Sequence, residues 1–415
     1  MANVEIITIG DELLIGQVVD TNSAWMAQEL NKIGFEVKHK TTIGDNERDI
    51  EKAFDRAFLR SSVILVTGGI GPTKDDITKK TLCKYFDCGL RFDGEVLKNM
   101  EELFQRLGRT INPLTYGQAY VPESCVVIQN KVGTAPIFWF EKDRKILVSM
   151  PGVPCEMKWV MQEEILGRIK EYLGQDCYIR HSTFWVEGYT ESALAMHLET
   201  YEKELPGYLH LAYLPNSGFI RLRITGKHEN ETELNTEMQA QKDKLKELLA
   251  GNLLEEDDQP IAYTIGTALK EKSLTLSIAE SCTGGNISHV ITSIPGSSQY
   301  FKGGIVAYSN DLKMDILKVK PSDIDKEGVV SETIVAQMAE NIQQLMQTDC
   351  AIATSGIAGP DGGTPDKPVG TVWVAARYKQ KTVTKRFSFG RSREENINRA
   401  TNMALLMLLK LLREA

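Results

Sequence analysis

Three runs with strand character, 4–9, 37–43 and 62–67, each end in a turn built from glycine and aspartate, and this recurrence limits the fold more than any other feature of the chain. The turns are Gly10-Asp11, Gly44-Asp45 and the stretch from Gly68 to Asp76. Helical spacings separate the runs. Ala24, Met26, Ala27 and Leu30 follow the capping stretch Asp20-Thr21-Asn22, and Ile50, Ala53, Ala57 and Phe58 mark the next helix. Apolar strands alternating with such helices predict a parallel sheet covered on both faces. A further strand over 145–149 runs into Pro151-Gly152-Val153-Pro154. Sheets of this kind gather ligands at the carboxyl ends of their strands, where these turns fall. Glycines let backbone amides approach a phosphate, and helix starts favour negative charge. No Gly-Lys-Ser/Thr closes the Gly68 loop, which excludes a P-loop. Taken singly, Asp75 and Asp76 read first as helix N-terminal acids, and Asp20 and Asn22 as caps.

At 415 residues the chain exceeds one ordinary core, and roughly two to four domains are expected. Apolar content of 42% and charged content of 25% are those of globular chains and argue against long disorder. A formal charge of −8 argues against a protein whose main partner is nucleic acid. The seven cysteines are scattered and form no Cys-x-x-Cys pair, which fits free thiols in a reducing cytoplasm. The first residues lack the basic segment of a signal peptide. No run approaches the ~20 apolar residues of a membrane helix, so a cytoplasmic protein without a membrane partner is expected.

From about residue 171 the pattern changes. A strand over 183–186, a helix over 191–203, strands over 209–214 and 219–225 around Pro215-Asn216-Ser217-Gly218, and a charged helix over 231–249 predict a small two-layer unit. His181, His197 and His210 are too irregularly spaced to argue for a metal. The acidic cluster Glu255-Glu256-Asp257-Asp258 before Pro260 reads as a solvated linker. The predicted fold is α/β: two three-layer α/β domains, 1–170 and 257–415, joined by a small two-layer α/β domain, 171–256.

In the last domain an apolar run over 274–279 enters Ala-Glu-Ser-Cys-Thr-Gly-Gly at 279–285, and a helical pattern leaves it. Ser281 at such a turn is either a nucleophile or a helix N-cap. A strand over 304–308 ends at Tyr308, and Lys313 stands near the start of the next helix. The loop from Gly356 to Gly363 follows a strand over 350–355. His289, the only histidine of this domain, lies two turns into a helix and suits surface or packing roles. A nucleophilic serine here therefore needs another base, and a lysine serves only if its pKa falls from about 10.4 towards neutrality. Alone, Lys313 reads as a surface lysine.

These motifs carry a resemblance. Gly-Asp-Glu-Leu-Leu-x-Gly-x-x-x-Asp-Thr-Asn, Gly-Gly-x-Gly-Pro-Thr-x-Asp-Asp-x-Thr and Pro-Gly-Val-Pro resemble the MoaB/MogA-like, molybdopterin-binding fold. In this form they look like the N-terminal domain of the CinA (competence/damage-inducible protein) family. That resemblance implies a nucleotide site and a divalent-metal-dependent ADP-ribose pyrophosphatase using magnesium, manganese or cobalt. The implied nucleotide contacts are Gly10, Asp11, Asp20, Asn22, Gly68, Gly69, Gly71, Thr73, Asp75, Pro151 and Gly152, with Asp11, Asp45 and Asp76 as candidate metal ligands. For the middle domain it suggests a KH-like module, without the Gly-x-x-Gly loop that clamps nucleic acid, as a spacer and dimerisation unit of a homodimer.

Ala-Glu-Ser-Cys-Thr-Gly-Gly, Tyr-Ser-Asn-x-x-Lys, Ser-Gly-Ile-Ala-Gly-Pro-Asp-Gly-Gly and Lys-Pro-Val-Gly-Thr-Val-Trp resemble the C-terminal CinA domain, a nicotinamide mononucleotide (NMN) amidohydrolase that needs no cofactor. The resemblance implies Ser281 as nucleophile, Lys313 as its base and Tyr308 as a partner of both. Thr283, Gly284, Gly285, Ser355, Gly356 and Arg393 are then substrate contacts, the amides of 283–285 forming an oxyanion hole or phosphate cradle. The family's Gly-Asp-Arg before the last helix is Gly390-Arg391-Ser392-Arg393 here, so Arg391 is an alternative to Arg393, and serine replaces the aspartate. Cys282 is a rival nucleophile. A non-catalytic nucleotide or pterin sensor and a molybdopterin-cofactor enzyme are the other readings of the same motifs.

Overall fold

The computed structural model describes residues 3–174, 177–215, 219–256 and 259–414. By compactness the chain divides into two units, Met1–Arg180 with Gly226–Ala240, and His181–Thr225 with Gln241–Ala415.

In the first unit, strands β1 (Asn3–Ile9), β2 (Glu36–Ile43) and β3 (Val63–Thr67) are parallel, and helices α1 (Thr21–Lys32) and α2 (Glu47–Arg60) connect them. Strands β4 (Val126–Ile128), β5 (Ile137–Lys142) and β6 (Lys145–Met150) complete a six-stranded sheet in the order β2-β1-β3-β6-β5-β4. β6 runs parallel to β3, while β5 and β4 are antiparallel additions. Alternation along β1 sends Ile7 and Ile9 into a core with Ile50, Phe54 and Phe138, and Val4 and Ile6 into a second core with Met26, Leu30 and Met157. A strand buried on both faces is apolar along nearly its whole length, as β3 is, and the one charge in β1, Glu5, is buried only because Arg60 holds it at 2.7 Å. Each helix starts at a side-chain cap: Asp20 accepts from the Ser23 amide at 2.9 Å, and Asn46 from the Arg48 and Asp49 amides.

The segment that follows forms a four-stranded sheet in the order Leu209–Pro215, Ile220–His228, Tyr178–Val186, Leu253–Glu256, with the helix Glu231–Leu248. The expected helix over 191–203 is two helices, Glu191–His197 and Glu199–Glu204, broken at Leu198. Residues 216–218 of the expected turn lie outside the described residues. So do 257 and 258 of the expected linker. Its first half is a correction: Glu255 and Glu256 belong to a strand paired with Trp185 and Phe184. Glu256 is held by Lys242 at 2.5 Å and Lys246 at 2.6 Å, and Glu255 by Arg413. Cations from distant elements turned an acidic run into a paired edge.

In the second unit α3 (Ile261–Glu271) leads into β7 (Leu276–Glu280), followed by α4 (Asn286–Thr292), β8 (Phe301–Val306), α5 (Asn310–Asp315), α6 (Glu332–Met346), β9 (Cys350–Gly356), β10 (Thr371–Tyr378), β11 (Lys381–Ser388) and α7 (Arg393–Arg413). The sheet order is β8-β7-β9-β10-β11, parallel across β8, β7 and β9, then antiparallel. Ile278 faces a core built with α3 and α7, and Ala279 faces one built with α6. β8 ends at Val306, two residues before the expected end, and leaves Tyr308 in the turn beyond.

Candidate active site

In the second unit the strand order places β7 between β8 and β9, so successive connections leave in opposite directions and open a crevice at the carboxyl ends. Register sets Glu280 beside Val306 and Ala279 beside Ala353. Ser281, Tyr308 and Ser355 therefore leave neighbouring strands at one edge. Ser281 is buried, and its amide donates to Thr354 O at 3.1 Å. It is no helix cap: α4 starts at Gly285, with no side-chain cap, and no described residue bonds the Ser281 hydroxyl.

Lys313 is 2% exposed. Its Nζ donates to the carbonyls of Tyr308 at 3.4 Å and Ser309 at 3.5 Å, both long contacts that leave donor capacity unused. Desolvation pushes its pKa down, against a smaller opposing influence from Cys282. Burial pushes the Cys282 thiol up to about 12, so it stays protonated at neutral pH and is a poor nucleophile. His289 is exposed on α4.

Tyr308 accepts a hydrogen bond from Arg393 Nη2 at 2.9 Å, and Arg393 Nη1 donates to Gly359 O at 2.7 Å. Arg393 thus joins the tyrosine to the glycine loop and keeps further N–H donors unused. No described residue bonds the Arg391 side chain. Ser392 caps α7, accepting from the Glu395 amide at 3.5 Å.

Three sequence expectations need correction here. The Gly284 amide donates to Ser281 O at 3.1 Å and the Gly285 amide to Glu280 Oε2 at 3.0 Å, so neither is open to a substrate oxygen. No described oxygen accepts from the amides of Cys282 and Thr283, which moves the available donors one step towards Ser281. Thr283 bonds Thr354 through its hydroxyl at 2.8 Å. Ser355 is buried and donates to Val329 O at 2.7 Å, fixing the 328–331 loop instead of facing the crevice. At Gly356, which stays a backbone-only candidate contact, a Cβ would meet Thr371 O at 2.8 Å, so glycine is needed where β9 packs on β10.

The first unit has the same crevice between β1 and β3. Gly68 has φ +112, and a Cβ there would lie 2.1 Å from Ile9 O, so only glycine lets the two strand ends approach. Asp11 and Asp45 are brought together: the Asp11 amide donates to Asp45 Oδ2 at 3.1 Å and the Asp45 amide to Asp11 Oδ1 at 3.2 Å. Partial desolvation raises the Asp45 pKa, reinforced by Asp11, Glu12 and Asp75 and opposed by the Asp11 amide. Asp76, the third candidate ligand, accepts on Oδ2 from the Thr73 amide at 2.9 Å and hydroxyl at 2.6 Å. Asp20 is a helix cap. Asn22 donates to Gly152 O at 2.8 Å and Thr67 Oγ1 to Pro151 O at 2.7 Å, while Asn22 Oδ1 is buried without a partner. These residues border a recess of ≈ 110 Å³ lined by Thr8, Glu12, Val19, Asn22, Thr67 and Gly152. The missing side chains of Gly10, Gly69 and Gly71 leave room for Glu12, for Thr78 and for Asp76. Among the described residues no three His, Cys, Asp or Glu side chains converge as a metal cage. A magnesium ion held by one or two carboxylates and the substrate's phosphates needs no such cage, and the Asp11–Asp45 pair fits that donor set.

Residues 258–412 match the family model described as "CinA C-terminal domain", and 5–171 match "Probable molybdopterin binding domain". A CinA-like protein of Cytophaga hutchinsonii is 41% identical over 406 residues, covering 98% of this chain and 97% of the relative. The chain belongs to the CinA family. A CinA-like protein of Flavobacterium psychrophilum is also 41% identical, over 98% of this chain and 97% of its own length. Among solved structures, the competence/damage inducible protein CihA from Agrobacterium tumefaciens is 37% identical, with a TM-score of 0.36, over 36% of this chain and 93% of its own. No described helix of this CinA-family chain is long and apolar enough to cross a membrane.

Sequence reasoning missed Glu280 and Asn396. Asn396 is buried at the start of α7 and donates to Ala358 O at 2.9 Å and Gly390 O at 3.0 Å, tying the glycine loop to the arginine segment. A polar residue on the apolar stripe of α7 was the available signal.

Proposed function

We propose that the second unit is an amidohydrolase converting NMN to nicotinic acid mononucleotide and ammonia, with Ser281 as nucleophile and Lys313 as base. The observation that carries this reading is the burial of Lys313 in a crevice that holds no histidine, beside the turn bearing an unbonded serine. Desolvation favours the neutral amine that a base requires. Ser281 Oγ adds to the carboxamide carbon as its proton passes to Lys313 Nζ. The oxyanion meets the amides of Cys282 and Thr283. Collapse expels ammonia, which carries that proton away, and leaves an ester on Ser281. Water activated by Lys313 then opens the ester to the carboxylate. Tyr308, held by Arg393, closes the base side, and Arg391 is the cation available to the 5′-phosphate.

For the first unit we propose cleavage of the ADP-ribose pyrophosphate, with Asp11 and Asp45 holding a divalent cation. When bound, the cation neutralises charge on the phosphates. The chain's own part is to hold the two carboxylates by each other's amides and to seat the nucleotide against the Asn22 and Gly152 edge. Residues 171–256 act as the connector.

Ammonia release from NMN by the purified chain tests the main reading. Ser281→Ala should abolish it and leave ADP-ribose cleavage intact. Unchanged release by that variant refutes the assignment.

A further inference from the structure

Glu280, the last residue of β7, is fully buried beside the nucleophile turn. Its Oε2 accepts from the amides of Gly285 and Ile287 at 3.0 Å each. Its Oε1 accepts from the Ser288 amide at 2.9 Å and the Ser288 hydroxyl at 2.7 Å. Four donors on two oxygens match the acceptor capacity of a carboxylate, and they include amides that a helix start otherwise leaves unsatisfied. The neighbouring strand makes room for this clamp: a Cβ on Gly304 would lie 2.5 Å from Ser288 Oγ.

Two consequences follow for the turn. The start of α4 is filled from within and has no donor left for a substrate anion. The chain between 280 and 288 is closed at both ends, and it reverses through Gly284 and Gly285, whose φ angles of 61° and 99° suit glycine. Inside this closed loop no described oxygen bonds the Ser281 hydroxyl or accepts from the amides of Cys282 and Thr283, the groups that attack and oxyanion stabilisation require.

We infer that Glu280 is a positioning residue, which acts through the closed turn to hold Ser281 Oγ and the two open amides in one geometry. This rests on the reading of Ser281 as a nucleophile. Glutamine has nearly the same shape, but its amide nitrogen would face donors and leave them without an acceptor. The turn then loses its register although the core volume is unchanged.

The test uses the full-length chain, with ammonia release from NMN and, independently of substrate, the rate at which a fluorophosphonate modifies Ser281, read by mass spectrometry. Glu280→Gln should slow both by about 100-fold through kcat, a loss of the size a misplaced reacting group produces. KM for NMN should change less than about threefold, as expected when ground-state binding is kept. If Glu280→Gln does not fold, Ser288→Ala, which removes one donor, is decisive: modification slowed about threefold to tenfold supports the clamp. Wild-type rates of Ser281 modification in either folded variant overturn it, as does a loss confined to KM. A wild-type chain that is modified at Ser281 yet releases no ammonia refutes the NMN reading while the modification rates still judge the clamp. No modification of wild-type Ser281 overturns both.

Discussion

The two α/β units place a first strand between the second and third, as β2-β1-β3 and as β8-β7-β9, and so open the same kind of crevice. They fill it with opposite chemistry. One crevice presents Asp11 and Asp45, where partial desolvation, reinforced by the charges of Asp11, Glu12 and Asp75, raises the Asp45 pKa. The other buries Lys313 and lowers its pKa, with a buried carboxylate locked behind Ser281. In the first, carboxylates stand close together at the strand ends. In the second, desolvation shifts Lys313 towards its neutral form. A shared strand order thus fixes where a site forms but not what it does.

Substitutions at each crevice should separate the two activities. The largest effect belongs to Lys313→Ala, expected to lower kcat for ammonia release by about 10³-fold or more, as loss of a nucleophile's base does, with ADP-ribose cleavage unchanged. Asp45→Asn should reduce ADP-ribose cleavage by roughly 100-fold and leave ammonia release within about twofold. Its stability effect has a definite sign. A raised carboxyl pKa means the folded state holds its proton more tightly, so ionisation of Asp45 costs stability as pH rises above the ordinary carboxylate range. Asp45→Asn should therefore raise the melting temperature near neutral pH in metal-free buffer, and divalent cation should raise that of the wild type. Arg393→Ala frees Tyr308 and should cost about tenfold in kcat, whereas Arg391→Ala should act on KM for NMN, a split visible in steady-state kinetics. Cys282→Ala should change ammonia release least, within about threefold, because its thiol stays protonated and only its backbone amide is used.

Much of this was legible in the sequence where a site residue sits in a turn directly after a strand. Ser281, Asp11 and Asp45 were singled out in that way, and the structure brings Asp11 and Asp45 together. The burial of Lys313 was not, because it depends on how α5 packs against the sheet, and its local sequence is that of a surface helix. Glu280 read as an ordinary strand end, since its four donors come from a turn that doubles back. The Arg393–Tyr308 bond joins elements far apart in the chain. Ser355 misled for the converse reason: position at a strand end does not say whether a hydroxyl faces the crevice or a supporting loop. The acidic run at Glu255 was misjudged because its cations lie on Lys242, Lys246 and Arg413.

The pairing of Ser281 with Lys313 is most directly tested by the pH dependence of Ser281 modification by a fluorophosphonate, in the wild type and in Lys313→Ala. The rate in the wild type should rise with pH and level off below the ordinary lysine value of about 10.4, and the variant should lose both the plateau and most of the rate. The same rate and profile in the two proteins would contradict the assignment of Lys313 as the base.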